Sequence, residues 1–336
     1  MDIAADPRPG ALVISLDFEL HWGLRDHIRP GDNYEKNLHG ARDAVPRLLE
    51  LFDQLEISAT WATVGFLFAA SEEERRAFWP EVRPAYRDPN LSPYNEPVGR
   101  GEVDDPLHFA WSLIEKIGET PRQEVASHTF SHYLCLEPGQ DEVAFRADLA
   151  AAQRIAAWRG ISLGSLVLPR NQWNRAYATA VRDSGFRCYR PPQQGRAPAG
   201  GATSSAALAR AFRLADTYIN IDGTAATPWD DLAPHDGLCG VPASRFLRPV
   251  PSGRQSLEPM RRRRISHGLA NAARAGSVFH LWWHPHNFGG DLESNLRFLR
   301  SILGDFAKLR DTQGMESLTM SDVADRVGAP TRPTGS

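Results

Sequence analysis

His128-Thr129-Phe130-Ser131-His132 carries two imidazoles four residues apart. On a helix, that spacing places both rings on one face, about one turn from each other. Two neutral ring nitrogens could then reach one metal ion. Zinc takes such nitrogens at about 2.0–2.1 Å, and a catalytic site adds one further protein ligand and leaves a position open for water. The competing reading is two histidines satisfied by solvent or by the core.

Three other stretches offer groups that could work beside such an ion. Asp17 and Glu19 follow the apolar run Leu12–Leu16, which only Ser15 interrupts. Residues two apart on a strand point to the same side, so Ser15, Asp17 and Glu19 face together. Two carboxylates crowded at a buried strand end repel unless a cation or a proton separates them; the alternative is a solvated pair in the loop that follows. His284-Pro285-His286-Asn287 follows another apolar run, Val278–Trp283. Pro285 cannot extend a central strand, so His284 is a strand-end residue and His286 lies farther out. Arg170, in Pro169-Arg170-Asn171-Gln172 after Leu163–Leu168, could orient a carboxylate through its two-pronged guanidinium or could be a surface arginine.

Two features read as bystanders. Gly160-Ile161-Ser162-Leu163-Gly164 matches the G-x-S-x-G pattern of serine hydrolases. That elbow needs a strand before the serine and a helix after it, and here the order is reversed. Arg261-Arg262-Arg263-Arg264 reads first as a solvated helix face, with contact to an anionic glycan or phosphate as the alternative.

These residues need elements to position them. Strand-like runs at Leu12–Leu16, Ile57–Val64, Glu124–Ser127, Leu163–Leu168, Phe186–Tyr189, Phe212–Ile219 and Val278–Trp283 alternate with helical patterns. The helices are expected at Ala41–Leu55, Glu142–Trp158, Gln172–Asp183, Pro259–Ala275, Leu292–Leu309 and from Ser321. Such alternation predicts a mostly parallel α/β fold, first a (β/α) barrel and second a doubly wound sheet. Reactive groups then belong at the carboxyl ends of the strands. Trp79–Asp105 lacks periodicity and is an inserted functional loop or disorder. Gln193–Ser205 reads as a flexible loop. The strand–helix rhythm resumes after each, so one catalytic domain over 1–336 is expected, with its core at about 11–290 and C-terminal helices over 292–328.

Bulk properties narrow the class. The net charge of −3 leaves no basic field for nucleic acid. Cys135, Cys188 and Cys239 form no framework, which fits a reducing compartment. No signal peptide or membrane-spanning run is readable, so a cytoplasmic protein, peripheral to the membrane at most, is expected. The sequence does not give the oligomeric state.

In order along the chain, these stretches resemble the polysaccharide deacetylases, the NodB-homology family (carbohydrate esterase family four). Leu12-Val13-Ile14-Ser15-Leu16-Asp17-Phe18-Glu19 looks like the family's acidic motif, and His128–His132 matches its His-Ser/Thr-x-x-His metal motif. Leu168-Pro169-Arg170 is similar to its arginine motif, and Phe279–His284 resembles its last motif. The resemblance implies a distorted barrel of about seven parallel strands. It implies zinc or another divalent transition metal on Glu19, His128 and His132. It makes Asp17 the catalytic base, Arg170 the group that braces it, and His284 the general acid. Three departures stand out. The family's acidic residues are usually adjacent, whereas Phe18 separates them here and the second is Glu, so His21 could replace or join Glu19. Tyr189-Arg190-Pro191-Pro192 looks more like the family's Arg-Pro-Pro text but comes one strand later, making Arg190 the rival of Arg170. His286 is the rival of His284.

The implied activity is hydrolysis of an N-acetyl group on an amino sugar. A cytoplasmic member would take a nucleotide- or lipid-linked sugar in surface-polysaccharide, O-antigen or lipopolysaccharide synthesis. The alternatives are deformylation, hydrolysis of a small cyclic amide, and a non-catalytic carbohydrate-binding protein. Trp79–Asp105 is expected to cover the sugar, with Trp79, Tyr86 and Tyr94 as stacking surfaces.

Overall fold

The computed structural model describes residues 8–28, 31–192, 226–250 and 258–329. The expected loop at Gln193–Ser205 and strand at Phe212–Ile219 lie outside them.

Leu12–Leu16 forms the heart of β1 (Ala11–Phe18), whose eight residues are all buried. A strand that is apolar on both faces belongs at the centre of a parallel sheet, and β1 is paired in parallel on both sides. One neighbour is β2 (Ala59–Thr63) and the other is β9 (Ser277–Trp283). From β2 the sheet continues in parallel through β3 (Gln123–Ser127), β4 (Ser165–Val167), β5 (Cys188–Arg190) and β7 (Cys239–Gly240). β6 (Thr227–Pro228) runs antiparallel on the far side of β9. β8 (Arg245–Phe246) also pairs with β9, and β10 (Glu316–Leu318) pairs with the first half of β1.

The order advances one way from β1 to β7 and places the late strand β9 beside the first. A doubly wound sheet would instead reverse direction at its centre. The mostly parallel sheet curls into a half-barrel, with the helices Glu35–Gln54, Glu142–Trp158, Glu258–Ala275 and Leu292–Gln313 turning apolar faces towards its core. No helix among the described residues is long and apolar enough to cross a membrane. The three cysteines are buried and unpaired.

Several expectations change. Gln172–Asp183 is not one helix: a 3-10 turn, Arg175–Tyr177, leads into the short helix Ala178–Asp183. Asn174 caps that turn through its side chain, so the helical run starts late. Trp111–Glu119 is a helix that the sequence reading did not place. Strands of two or three residues (β6, β7, β8, β10) are too short to show an alternation. In the arginine run, Arg261 and Arg264 are buried rather than solvated; Arg261 pairs with Glu258 and lies over Phe298.

The inserted segment is ordered, but its aromatics are not stacking surfaces for a sugar. Tyr86 and Tyr94 are buried; Tyr86 accepts a hydrogen bond from Leu134 N at 2.8 Å. Trp79 packs edge-on against Tyr94 at 5.1 Å. These rings anchor the segment to the body.

Because the strands are parallel, the residues ending β1, β3, β5 and β9 share one edge. The turn that follows β9, His286–Gly289, lies directly on the Glu35–Gln54 helix. A Cβ on Gly40 would meet the Gly289 Cα at 2.6 Å, and backbone cannot yield as a flexible side chain can. We expect Gly40→Ala to cost about 1–3 kcal/mol by overpacking, measured by urea denaturation.

Candidate metal centre

The histidine pair does not lie on a helix. β3 ends at Ser127, and His128 extends its ladder by one bond, donating from its backbone N to Thr63 O at 2.8 Å. Thr129 (φ 63°) and His132 (φ 56°) then take left-handed backbone, which non-glycine residues adopt only when their surroundings hold them. Asp148, buried on the Glu142–Trp158 helix, does much of the holding. It accepts from Phe130 N at 2.7 Å, from Ser131 N at 3.2 Å and from the Ser131 hydroxyl. The loop thus brings the two rings to a centroid separation of 5.3 Å without a helical turn.

Glu19 meets them. Its Oε2 lies 3.2 Å from His128 Nε2 and 3.2 Å from His132 Nε2. Ligands about 2.0–2.1 Å from a tetrahedral ion are about 3.3 Å apart, so this spacing fits one ion. The hydrogen bonding points the same way. His128 Nδ1 donates to Val167 O at 2.8 Å, which in the neutral ring leaves Nε2 as the free lone pair. That buried nitrogen has no hydrogen-bond partner although it faces a carboxylate oxygen. A divalent ion among these three atoms would meet the carboxylate and both ring nitrogens at once. Burial pushes His132 down to about 4, so its ring is neutral. Burial alone would raise the Glu19 carboxyl. The His284 charge and the two close imidazoles more than offset it, holding the group well below the usual carboxylate range. Glu19, His128 and His132 thus form a group that could hold one ion. His21, the rival ligand, points instead to Glu96, with its Nε2 3.4 Å from Oε1.

Gly23 makes room for Glu19. The 3-10 turn Leu20–Gly23 curls back over the carboxyl group, and a Cβ at Gly23 would overlap it.

Asp17 sits next to this set, and its guanidinium partner corrects the sequence reading. Arg170, expected to brace Asp17, pairs with Asp26 at 2.5 Å instead. Its own left-handed backbone (φ 55°) lies in a turn just past β4. The brace is the rival, Arg190, the last residue of β5. Its Nη1 and Nη2 each lie 2.7 Å from one oxygen of Asp17. Arg190 also donates to Ser15 Oγ at 3.0 Å and Asn171 Oδ1 at 3.0 Å, and it lies 4.2 Å from the Trp282 ring centre. Burial pushes the Asp17 carboxyl up, but Arg190, His128 and His284 bring it below its ordinary value. Asp17 is a charged carboxylate held in one orientation.

His284 closes the ring of groups. Its Nε2 is 3.4 Å from Glu19 Oε1 and 3.8 Å from Asp17 Oδ2. Its side chain is 22% exposed, against 4% for Asp17 and 6% for Glu19, so it borders the open side. His286 stacks behind it at 4.8 Å, buried, with burial pushing it down to about 3.

Asn171, His280, Asp148 and Gly23 were missed by the sequence reading. His280 Nε2 lies 2.7 Å from Ser15 Oγ, continuing the Arg190 network inward. Asp148 had a signal: it is a carboxylate on the apolar face of a helix, four residues from Ala144 and Ala152.

Gly23→Ala should leave the protein folded but displace the Glu19 carboxyl, and elemental analysis after zinc loading should show this centre's ion lost. Burial raises the Asp148 carboxyl from 3.8 to about 7. A raised carboxyl favours the folded state while protonated, so its contribution is full below about pH 3.8 and is lost as pH rises towards 7. In thermal melts over that window, Asp148→Asn should lose this part of the pH dependence.

No sequence-family profile matches the chain, and no curated protein sequence matches it. Solved structures do match. A candidate polysaccharide deacetylase from Mycobacterium smegmatis is 15% identical, with TM-score 0.60, over 99% of this chain and 96% of that one. A second candidate polysaccharide deacetylase, from Pseudomonas aeruginosa PAO1, is 11% identical with TM-score 0.54, over 94% and 89%. Puue allantoinase is 13% identical with TM-score 0.54, over 97% of each chain. At such identities the likeness speaks for the fold: the chain has the polysaccharide-deacetylase fold, a NodB-like distorted barrel.

Proposed function

We propose that this protein is a metal-dependent amide hydrolase that removes the N-acetyl group from an amino sugar. One observation carries the reading. Three donor atoms converge for an ion while a separate carboxylate, clamped by a buried guanidinium, and a partly open histidine stand beside them.

A divalent ion held by Glu19, His128 and His132 would polarise the acyl carbonyl and lower the pKa of water from about 15.7 towards 7. Asp17 takes the proton of the attacking water. Arg190 fixes the orientation of Asp17 and keeps it charged until that transfer, because its two prongs match both carboxylate oxygens. His284 gives its proton to the amide nitrogen as the C–N bond breaks, since an amine anion is a poor leaving group. The products are acetate and the free amine. Beside His284, the partly exposed rings of Trp282 and Phe246 pack at 4.7 Å. They offer an apolar surface for a sugar ring, in place of the buried Tyr86 and Tyr94 of the insertion.

A second reading, hydrolysis of a small cyclic amide, draws on the likeness to Puue allantoinase over nearly all of both chains. A panel of free, nucleotide-linked and lipid-linked N-acetyl sugars, set against formamides and cyclic amides, separates the two. Acetate release from sugars supports the deacetylase, and turnover of cyclic amides alone overturns it. Asp17→Asn should keep the metal and lose about 10²–10⁴ in rate. Arg190→Lys, which removes the two-pronged contact, should lose about 10², whereas Arg170→Lys should stay within a few-fold of wild type in the same assay.

A further inference from the structure

We infer that His21, Glu96 and His108 form a second divalent-metal site, which ties the inserted segment to the end of β1. It shares no side chain with the Glu19 centre. His21 Nε2 lies 3.4 Å from Glu96 Oε1, and His108 Nε2 lies 4.0 Å from the same oxygen. The three donor atoms all fall within 4.8 Å of one another. His21 is 3% exposed and His108 is 8% exposed. The two rings meet edge to face at 4.8 Å.

The hydrogen bonding around His108 favours a cation here. His108 Nδ1 lies 2.8 Å and 2.9 Å from the two oxygens of Asp105. An N–H shared between both Asp105 oxygens places a proton on Nδ1, so in the neutral ring Nε2 is the free lone pair. A carboxylate behind an imidazole is the usual arrangement that orients a metal-bound histidine and raises its basicity. His108 Nε2 is buried, has no hydrogen-bond partner and points at Glu96. A protonated His21 paired with Glu96 would explain the 3.4 Å contact. It would still leave His108 Nε2 unmet, at a cost of about 1–3 kcal/mol. One ion answers all three groups. Two imidazoles and a carboxylate suit zinc or a similar first-row ion rather than calcium or magnesium, which take oxygen ligands.

The site's place in the fold gives its role. His21 lies in the turn that carries Glu19, Glu96 follows the turn Pro93–Asn95 within the insertion, and His108 comes three residues after its end. The same turn already holds the insertion through His21 N to Leu107 O at 3.3 Å and Trp22 Nε1 to His108 O at 3.0 Å. Arg25 joins the two regions, donating to Leu91 O and lying 3.5 Å from His132 Nδ1. An ion here fixes the wall of the catalytic centre without entering the reaction.

The test is metal stoichiometry on the full chain, stripped by chelation and titrated with zinc under calorimetry and elemental analysis. Wild type should take two equivalents. His132→Ala should keep one, and so should His108→Ala. The double variant should keep none. Because His108→Ala removes a buried ring, Glu96→Gln, nearly isosteric and half-buried, serves as the second variant and should also keep one. Zinc should slow tryptic cleavage after the exposed Arg87 and Arg100 in wild type and in His132→Ala, but not in Glu96→Gln. A single equivalent in wild type overturns the site. So does a second equivalent that survives in both His108→Ala and Glu96→Gln. Loss of the first centre alone, in His132→Ala, leaves this site intact, so the two assignments fail separately.

Discussion

Two carboxylates at the end of the most buried strand constrain everything around them. Asp17 and Glu19 are each about 5% exposed or less. Buried like charges repel, and each costs several kcal/mol to desolvate unless it is met. The protein answers each differently. Asp17 receives a permanent cation, Arg190, through both oxygens. Glu19 receives two buried imidazoles, His128 and His132, each with Nε2 at 3.2 Å. The first arrangement is complete as it stands. The second has the spacing to take a divalent ion, and that difference underlies the separate tasks proposed for the two acids. His284, within reach of both, lies on the solvent side where a substrate would enter.

Positioning these groups requires strain on loops and rigidity behind them. Leu20, Thr129, His132, Arg170 and Asn171 all have left-handed backbone, and all lie just past the carboxyl ends of β1, β3 or β4. Such residues cost about 1–3 kcal/mol each where nothing offsets the strain. Here hydrogen bonds offset it: Asp148 satisfies two backbone N–H groups of the histidine loop, and Thr129 Oγ1 accepts from Tyr133 N at 2.7 Å. A network of Ser15, His280, Asn171 and Trp282 surrounds Arg190 in the same way, so its fork cannot turn.

Long, strongly apolar elements were legible in the sequence. β1, β9 and the Glu142–Trp158 helix stand where their patterns placed them, because burial on both faces, or along one helical stripe, leaves a continuous signature. Placing reactive groups at strand ends put Asp17, Glu19 and His284 on one edge; that His128 and His132 join them was what the family resemblance implied. The guanidinium did not follow. β4 and β5 have three residues each, too few for an alternation to tell which of two strand-end arginines turns inward, and only the Arg190-Pro191-Pro192 text hinted at the right one. Arg170 leaves its strand through a left-handed turn towards Asp26, whereas Arg190 is still in its strand with the inward register of the pleat. Pairing across the barrel decides the matter, and pairing is not local. The helix suggested by the His-x3-His spacing failed for the same reason: bonds to Asp148, from a different element, shape that loop.

One departure in the sequence explains another. With Phe18 between the two acids, Glu19 falls past the strand and into the turn. Its side chain is one methylene longer than that of aspartate, and it must fold back to reach the histidines. The space it occupies is the space a side chain at residue 23 would need. A glutamate at this position therefore demands glycine four residues later, and a turn tight enough to bring the two together. That turn also aims His21 away from the histidine pair and towards Glu96. The Asp-Phe-Glu spacing thus sets Glu19, rather than His21, against the histidine pair and leaves His21 to the cluster next to it.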